Sequence, residues 1–414
     1  MQREVARIGA FMLLFVSQAM PAHNSVAPAA EIESAGTVPF IFDDNRVFAE
    51  LTFVRPDGTL RKALAFVDLG TPTLVLDKKL REELQGGQGN QVILRVGELE
   101  IKIDSSAVET DTGLGLTGRD GKRTLPVEAV LSGSVLTNYQ VVVDYGKRTL
   151  TIAQPNTLKN TGDAVPCRVN EKTGMISITG DIDGRPYALA VDTGSAYSWV
   201  REDVAEQWTK AHPEWKRGTG AVGEANMQTR TDGAEARATI LRLPEIKLGG
   251  LSLKQIGALG IAPEAPPIPP APGQSKVEGN FFDWYSKKAP EPVIGWLGGN
   301  VLRGFRLMID FPRRMTYWER VSDLDPHDLD QVGVTLEKRS DGYFIAGIVQ
   351  KSGKPTVDAV RVGDKLILVD NVLLSNATRG ALFAALHGEP GSVRMLVLER
   401  DGQQLTLPAK VTAF

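Results

Sequence analysis

A single cysteine, Cys167, stands in 414 residues, which excludes an internal disulfide framework and any zinc site built on several thiolates. Histidine is nearly as scarce. His23, His212, His327 and His387 are scattered and offer no paired ligand spacing, so no metal and no cofactor is expected. Cys167 lies in Val165-Pro166-Cys167-Arg168-Val169, which reads as strand entry and suits a small buried hydrophobe better than a reactive thiol. A charge excess is missing too: Lys+Arg 47 against Asp+Glu 50 gives a net charge of -3, and no basic run borders stacking aromatics. That balance argues against a nucleic-acid partner. Helical periodicity is rare, with short candidates over 78–84 and 201–210, and no apolar run is long enough to span a bilayer.

What remains is an ordinary folded composition, 42% hydrophobic and 23% charged, in a chain too long for one core. Arg3 and Arg7 precede the apolar stretch 8–16 and the small-x-small triplet Ser17-Gln18-Ala19, a pattern that predicts a signal peptide over 1–19. An uncleaved anchor or a buried N-terminal helix is the alternative. Residues 20–36, rich in Ala, Pro and Ser, read as a flexible leader. The expected product is exported, periplasmic if the source is Gram-negative, with no stable membrane span after processing.

From Val38 onward short apolar alternations such as Val47-Phe48-Ala49-Glu50-Leu51-Thr52-Phe53 are broken by turns such as Pro56-Asp57-Gly58, which predicts a mainly β protein. An internal repeat organises it. The segment 64–76, with Val67-Asp68-Leu69-Gly70-Thr71, parallels 188–200, with Val191-Asp192-Thr193-Gly194-Ser195. A second landmark recurs in the same order, 131–136 followed by Asp144-Tyr145 and 297–302 followed by Asp310-Phe311, the second copy being longer between landmarks by 42 residues. The added length holds six prolines over 263–272, expected as a stiff surface loop, and Gly218-Thr219-Gly220-Ala221-Val222-Gly223. That glycine pattern fits a dinucleotide fingerprint only formally. Neither a buried strand before it nor a clear helix after it is legible, so a glycine-rich mobile hairpin is the better reading.

Aspartate at the end of an apolar strand, followed by Thr and Gly, suits chemistry: the strand fixes the carboxylate and the glycine lets backbone N–H groups approach the charge. Two such carboxylates brought close share one proton, so that one acts as general base toward water while the other donates to a carbonyl. Hydroxyls at Thr71 and Ser195 are expected to donate to the carboxylates. The plain alternative is that Asp68 and Asp192 simply end strands as turns. Trp199 reads as core, Tyr197 as either core or substrate contact, and Asp144 and Asp310 as structural strand ends. The acidic stretch 323–330 reads as a linker; beyond it strands over 332–338, 343–350 and 365–369, a helix over 377–387 and a hairpin of 395–399 with 404–407 predict a small separate domain.

Asp192-Thr193-Gly194-Ser195-Ala196-Tyr197-Ser198-Trp199-Val200 resembles the D-T-G-S-x-x-x-W-V segment of pepsin-type aspartic proteases, and Leu297-Gly298-Gly299-Asn300-Val301-Leu302 with Asp310 resembles their hydrophobic-hydrophobic-glycine segment. The compact copies are similar to retropepsins, with Gly218, Gly220 and Gly223 in the place of a flap. Residues 332–414 resemble a bacterial PDZ domain, Val332-Gly333-Val334 lying where its carboxylate-binding loop belongs. The resemblance implies two tandem retropepsin-like acid-protease lobes related by a pseudo-two-fold axis, 37–158 (a degenerate D-L-G) and 159–322 (D-T-G-S), then a linker at 323–331 and a small α+β PDZ-like domain at 332–414. It implies catalytic Asp68 and Asp192, with Gly70, Thr71, Thr193, Gly194 and Ser195 supporting the loops. Leu69 departs from the pattern, since the residue there normally carries a hydroxyl that braces one loop against the other.

The implied activity is that of an aspartic endopeptidase acting on a peptide or protein substrate, with the PDZ-like domain binding a peptide C-terminus by strand addition along 334–336. A non-catalytic peptide- or protein-binding scaffold in the periplasm is the competing function; a paired-carboxylate glycosidase comes third. Two dyads are open, Asp68 with Asp192 in one chain, or Asp192 with its mate in a second chain. Substrate preference and the PDZ ligand have no signature in the sequence.

Overall fold

Alternation in the first copy becomes the strand Arg46–Val54, whose Val47, Ala49, Leu51 and Phe53 are buried while Glu50 faces solvent. It pairs antiparallel with Leu60–Val67, Phe48 opposite Phe66. Gly58 supplies the left-handed residue of the intervening turn at φ 83°. The computed structural model describes residues 34–85, 90–111, 125–222, 235–261, 281–339 and 341–414. The expected signal peptide, most of the leader, the proline-rich stretch and Gly223 lie outside the described residues. The leader is shorter than its composition suggests: a strand begins at Ala35, pairing Ala35–Pro39 with Thr149–Ala153. Gly36 sits there because any side chain would strike the Val96 carbonyl.

Both copies build the same local device. In the first, Leu60–Val67 runs parallel to Val127–Leu131, which lies antiparallel to Leu74–Asp77. In the second, Arg185–Val191 runs parallel to Gly295–Leu297, which lies antiparallel to Ser198–Arg201. Each aspartate is thereby seated over the second landmark of its own copy. The Asp68 N–H donates to the Leu131 carbonyl at 2.9 Å, and the Asp192 N–H to the Leu297 carbonyl at 3.0 Å. Short helices follow each outgoing strand, Lys78–Glu83 capped by the Asp77 carboxylate and Glu202–Ala211.

One antiparallel sheet joins the copies. Its order is Ala35–Pro39, Thr149–Ala153, Gln140–Asp144, Phe305–Asp310, Met315–Arg320 and Asp163–Pro166. The central pair sets Asp144 opposite Arg306 and Gln140 opposite Asp310, so each copy contributes three strands on either side of a seam. Asp144 and Asp310 are strand-end residues here: Asp144 accepts from the Lys147 N–H, and Asp310 from Gln140 Nε2 at 2.7 Å. Cys167 is buried and its thiol is pushed up to about 12 by burial and by Asp310, an inert hydrophobe as its surroundings predict.

The C-terminal residues form a sheet ordered Gln331–Val332, Gln403–Thr412, Val393–Arg400, Lys365–Val369, Gly342–Ile348 and Val334–Arg339, with the helix Arg379–Leu386 capped by Thr378. The acidic stretch before it is firmly held. Asp328 pairs with the buried guanidinium of Arg242 and accepts from Asn300 Nδ2, while the Asp330 carboxylate accepts from the Phe414 N–H at 2.7 Å. Arg242 also donates to the Phe414 carbonyl. The reason is electrostatic, since a buried guanidinium needs carboxylate and carbonyl partners, and this segment supplies them.

Candidate active site

Thr193 ties the two aspartate loops together. Its hydroxyl accepts from the Leu69 N–H at 3.0 Å and donates to the Val67 carbonyl at 2.8 Å, reaching from the second copy into the first. The loops meet closely. A Cβ added to Gly70 would lie 2.4 Å from the Asp192 carboxyl, and one added to Gly194 would lie 2.3 Å from that of Asp68. Only glycine permits this approach. Asp68 and Asp192 of one chain therefore face each other across the two loops.

The two carboxyls have different surroundings. Asp68 accepts from the Gly70 N–H at 2.9 Å and from the Thr71 hydroxyl at 2.5 Å, and it keeps partial access to solvent. Asp192 is buried and accepts from the Gly194 N–H at 2.8 Å and from the Tyr285 hydroxyl at 3.4 Å. Burial raises both carboxyls; Asp192 is raised the further, by burial first and then by the charge of Asp68. The protonated form is thereby favoured at both carboxyls, and more strongly at Asp192. Tyr285 is itself raised by burial and by the two carboxyls, so its phenol stays a donor.

Ser195 corrects one expectation. Its hydroxyl donates to the Tyr197 carbonyl at 2.7 Å instead of to Asp192, because the loop turns it onto its own backbone; Asp192 gains only the Ser195 backbone N–H. Trp199 is core, stacked on Trp296, which stacks in turn on Tyr285. Tyr197 is buried, with its hydroxyl toward the Asp328 carbonyl.

Of the three glycines expected in a flap, Gly218 and Gly220 are among the described residues. Gly218 belongs to the strand Lys216–Thr219, paired with Thr239–Leu248, and packs on Val349 and Gln350, while Gly220 packs on Ile348 and Val349. Both glycines thus lie between their own hairpin, at Ala236 and Ile240, and the segment Ile348–Gln350. Val332 and Val334 are buried in strand pairing with Val411 and Ile348, and Gly333 fits closely against Thr356. Val334–Arg339 is the sheet's edge strand, and its Thr335 hydroxyl donates to the Ala221 carbonyl.

Three further residues stand at the pair, of which Tyr285 and Arg46 belong to no sequence motif and Tyr145 closes the first copy's second landmark. Tyr285 arrives on the helix Phe281–Lys288. Tyr145 is buried, lies in the field of Asp192, and its hydroxyl has no partner among the described residues. Arg46, buried, donates from Nε to the Gly194 carbonyl at 2.8 Å and lowers both carboxyls by its charge. Among the described residues no group of three or more His, Cys, Asp or Glu could hold a metal ion.

Residues 178–270 match the family model for aspartyl proteases. Among solved structures, the aspartic proteinase from Irpex lacteus is similar at 12% identity, covering 69% of this chain and 97% of that chain with a TM-score of 0.37. No curated protein matches the sequence.

Proposed function

We propose that the chain is an aspartic endopeptidase built from two tandem retropepsin-like lobes, with the dyad formed by Asp68 and Asp192 of one chain. The observation that carries this reading is the close approach of two carboxyls from the two copies, each seated at a glycine turn whose partner carboxyl leaves no room for a side chain. Asp68, the less raised, takes a proton from water as the water attacks the peptide carbonyl carbon. Asp192 gives its proton to the carbonyl oxygen. Collapse of the tetrahedral gem-diol breaks the C–N bond: the proton on Asp68 passes to the departing amine, and one hydroxyl proton of the gem-diol returns to Asp192 as the carboxylic acid forms, which restores the starting state of the pair.

The same reading makes the chain exported, to the periplasm if the source is Gram-negative, and makes residues 332–414 a PDZ-like recruiting domain that adds a peptide C-terminus along Val334–Leu336. Its edge strand supports that role. Binding of peptides with free against amidated C-termini, followed by fluorescence anisotropy, tests it: a free carboxylate should bind the tighter.

Cleavage of an unfolded protein at acid to neutral pH, blocked by a pepstatin-type inhibitor, tests the protease reading. Binding of the unfolded protein without cleavage would instead establish the peptide-holding scaffold.

A further inference from the structure

The two copies brace each other unequally. Thr193 reaches from the second copy to Leu69 and Val67, but Leu69 has no hydroxyl with which to return the contact. The register of the hairpins shows what stands in its place. Phe48 pairs with Phe66 in the first copy and Ser177 with Ala190 in the second, which makes Arg46 and Met175 structural counterparts. Their neighbours agree. A Cβ at Gly299 would strike the Asn45 carbonyl, and one at Gly133 would strike the Gly174 carbonyl. The copy with Thr at the second loop position thus has Met at the strand start, and the copy with Leu has Arg. Arg46 Nε donates at 2.8 Å to the carbonyl of Gly194, in the opposite loop.

We infer that Arg46 is a positioning residue that supplies, from the first copy to the second, the cross-axis brace that Leu69 cannot make. The inference rests on the dyad reading above, and it adds an asymmetry: one brace is a neutral hydroxyl, the other a cation. The turn before Arg46 holds it in place. Asp44 and Asn45 both take left-handed φ, 50° and 54°, and close a tight two-residue hairpin. The Asp44 carboxylate pairs with Arg46 and, at 3.2 Å, with Arg379 of the C-terminal helix. Asp43 accepts from Thr378 and from the Gly380 N–H. Around the dyad the charged and titratable groups are Arg46, Tyr145 and Tyr285, with Asp44 and Arg379 behind Arg46.

Brace and charge separate by substitution. Arg46→Met, copying Met175, should lower kcat on the order of 100-fold with KM little changed, and should move the acid limb of the pH profile upward because a cation near both carboxyls is gone. Adding Leu69→Thr should restore turnover and leave the limb displaced. Arg46→Lys keeps the charge near its place and should show the reverse: low turnover with the limb near that of the parent, in a protein expected to fold even if the Met variant does not. Parent turnover in Arg46→Lys and Arg46→Met, or no recovery with Leu69→Thr, would overturn the brace. The carboxyl titration, read by infrared difference against Asp192→Asn, should move upward in Arg46→Met whether or not the chain cleaves anything. An unmoved titration counts against Arg46 alone, whereas a moved titration in a protein that cleaves nothing counts against the protease reading alone.

Discussion

Between its aspartate and its second landmark the first copy carries, among its described residues, the short helix Lys78–Glu83, the hairpin of Gln91–Val96 with Leu99–Asp104 and a single 3-10 turn at Ser105–Ala107. The second carries Glu202–Ala211, Phe281–Lys288 and the hairpin of Lys216–Thr219 with Thr239–Leu248. The additions bury the second aspartate. Phe282, Tyr285, Trp296 and Trp199 form one aromatic group on the Asp192 side, while Asp68 faces a single threonine hydroxyl and some solvent. Two loops of repeated sequence thus hold carboxyls in unequal surroundings. Burial raises Asp192 further than Asp68, and in the proposed protease reading that inequality makes Asp192 the acid and Asp68 the base.

The strongest way to break this comparison is to neutralise each carboxyl. Asp68→Asn and Asp192→Asn should each lower cleavage by at least 10³- to 10⁴-fold, the order expected when a positioned acid or base is lost. Near-parental turnover in Asp68→Asn, rising with dimerisation in sedimentation experiments, would transfer the chemistry to a dyad between chains. Thr193→Val should be next in size. It keeps the shape and loses two cross-copy hydrogen bonds, about 2 kcal/mol of stability by urea denaturation, together with turnover.

A stability comparison sharpens the inequality. Asp192 is raised in the native state, so the native protein keeps a proton that the unfolded chain releases above about pH 4. The stability linked to that proton is complete below this pH and is lost as the pH rises through the native value. Asp192→Asn cannot ionise and should melt several degrees above the parent at neutral pH, the gap closing toward about pH 3. Equal melting at both pH values would mean that Asp192 is not raised. The smallest effects divide the hydroxyls. Thr71→Val removes a donor that lowers Asp68 and should move the acid limb of the rate profile upward, while Ser195→Ala should leave it in place, since that hydroxyl donates to the Tyr197 carbonyl.

The aspartate pair was legible because each member sits inside a repeated local pattern, and the repeat brings with it the parallel strands beneath. The strands of the C-terminal region were legible from alternation: the structure has Lys365–Val369 where the pattern predicts it and Val334–Arg339 two residues beyond the predicted start. Arg46 was not legible. Its only local signal is a cation opening the apolar alternation Val47 to Phe53, and its partner, Gly194, lies 148 residues away. Tyr285 and the trio Arg242, Asp328 and Phe414 share that difficulty, since a contact made between separate parts of a fold leaves no periodicity in either part. Ser195 shows the opposite error. A hydroxyl in the expected place took a nearer acceptor on its own backbone, as serine in a turn commonly does.

The seam between Gln140–Asp144 and Phe305–Asp310 bears on how the molecule is made. Ribosomes deliver the first copy with Gln140–Asp144 complete, while the strand that must cover it is still more than 150 residues from being synthesised. Until then that apolar edge, Gln140-Val141-Val142-Val143-Asp144, offers unpaired backbone groups to any other extended chain. Closing so long a loop late also makes maturation slow. A nascent protein of this design therefore depends on whatever shields its open edge during synthesis and assembly, and crowded expression should lead it to aggregate through this strand before it loses any stability once folded.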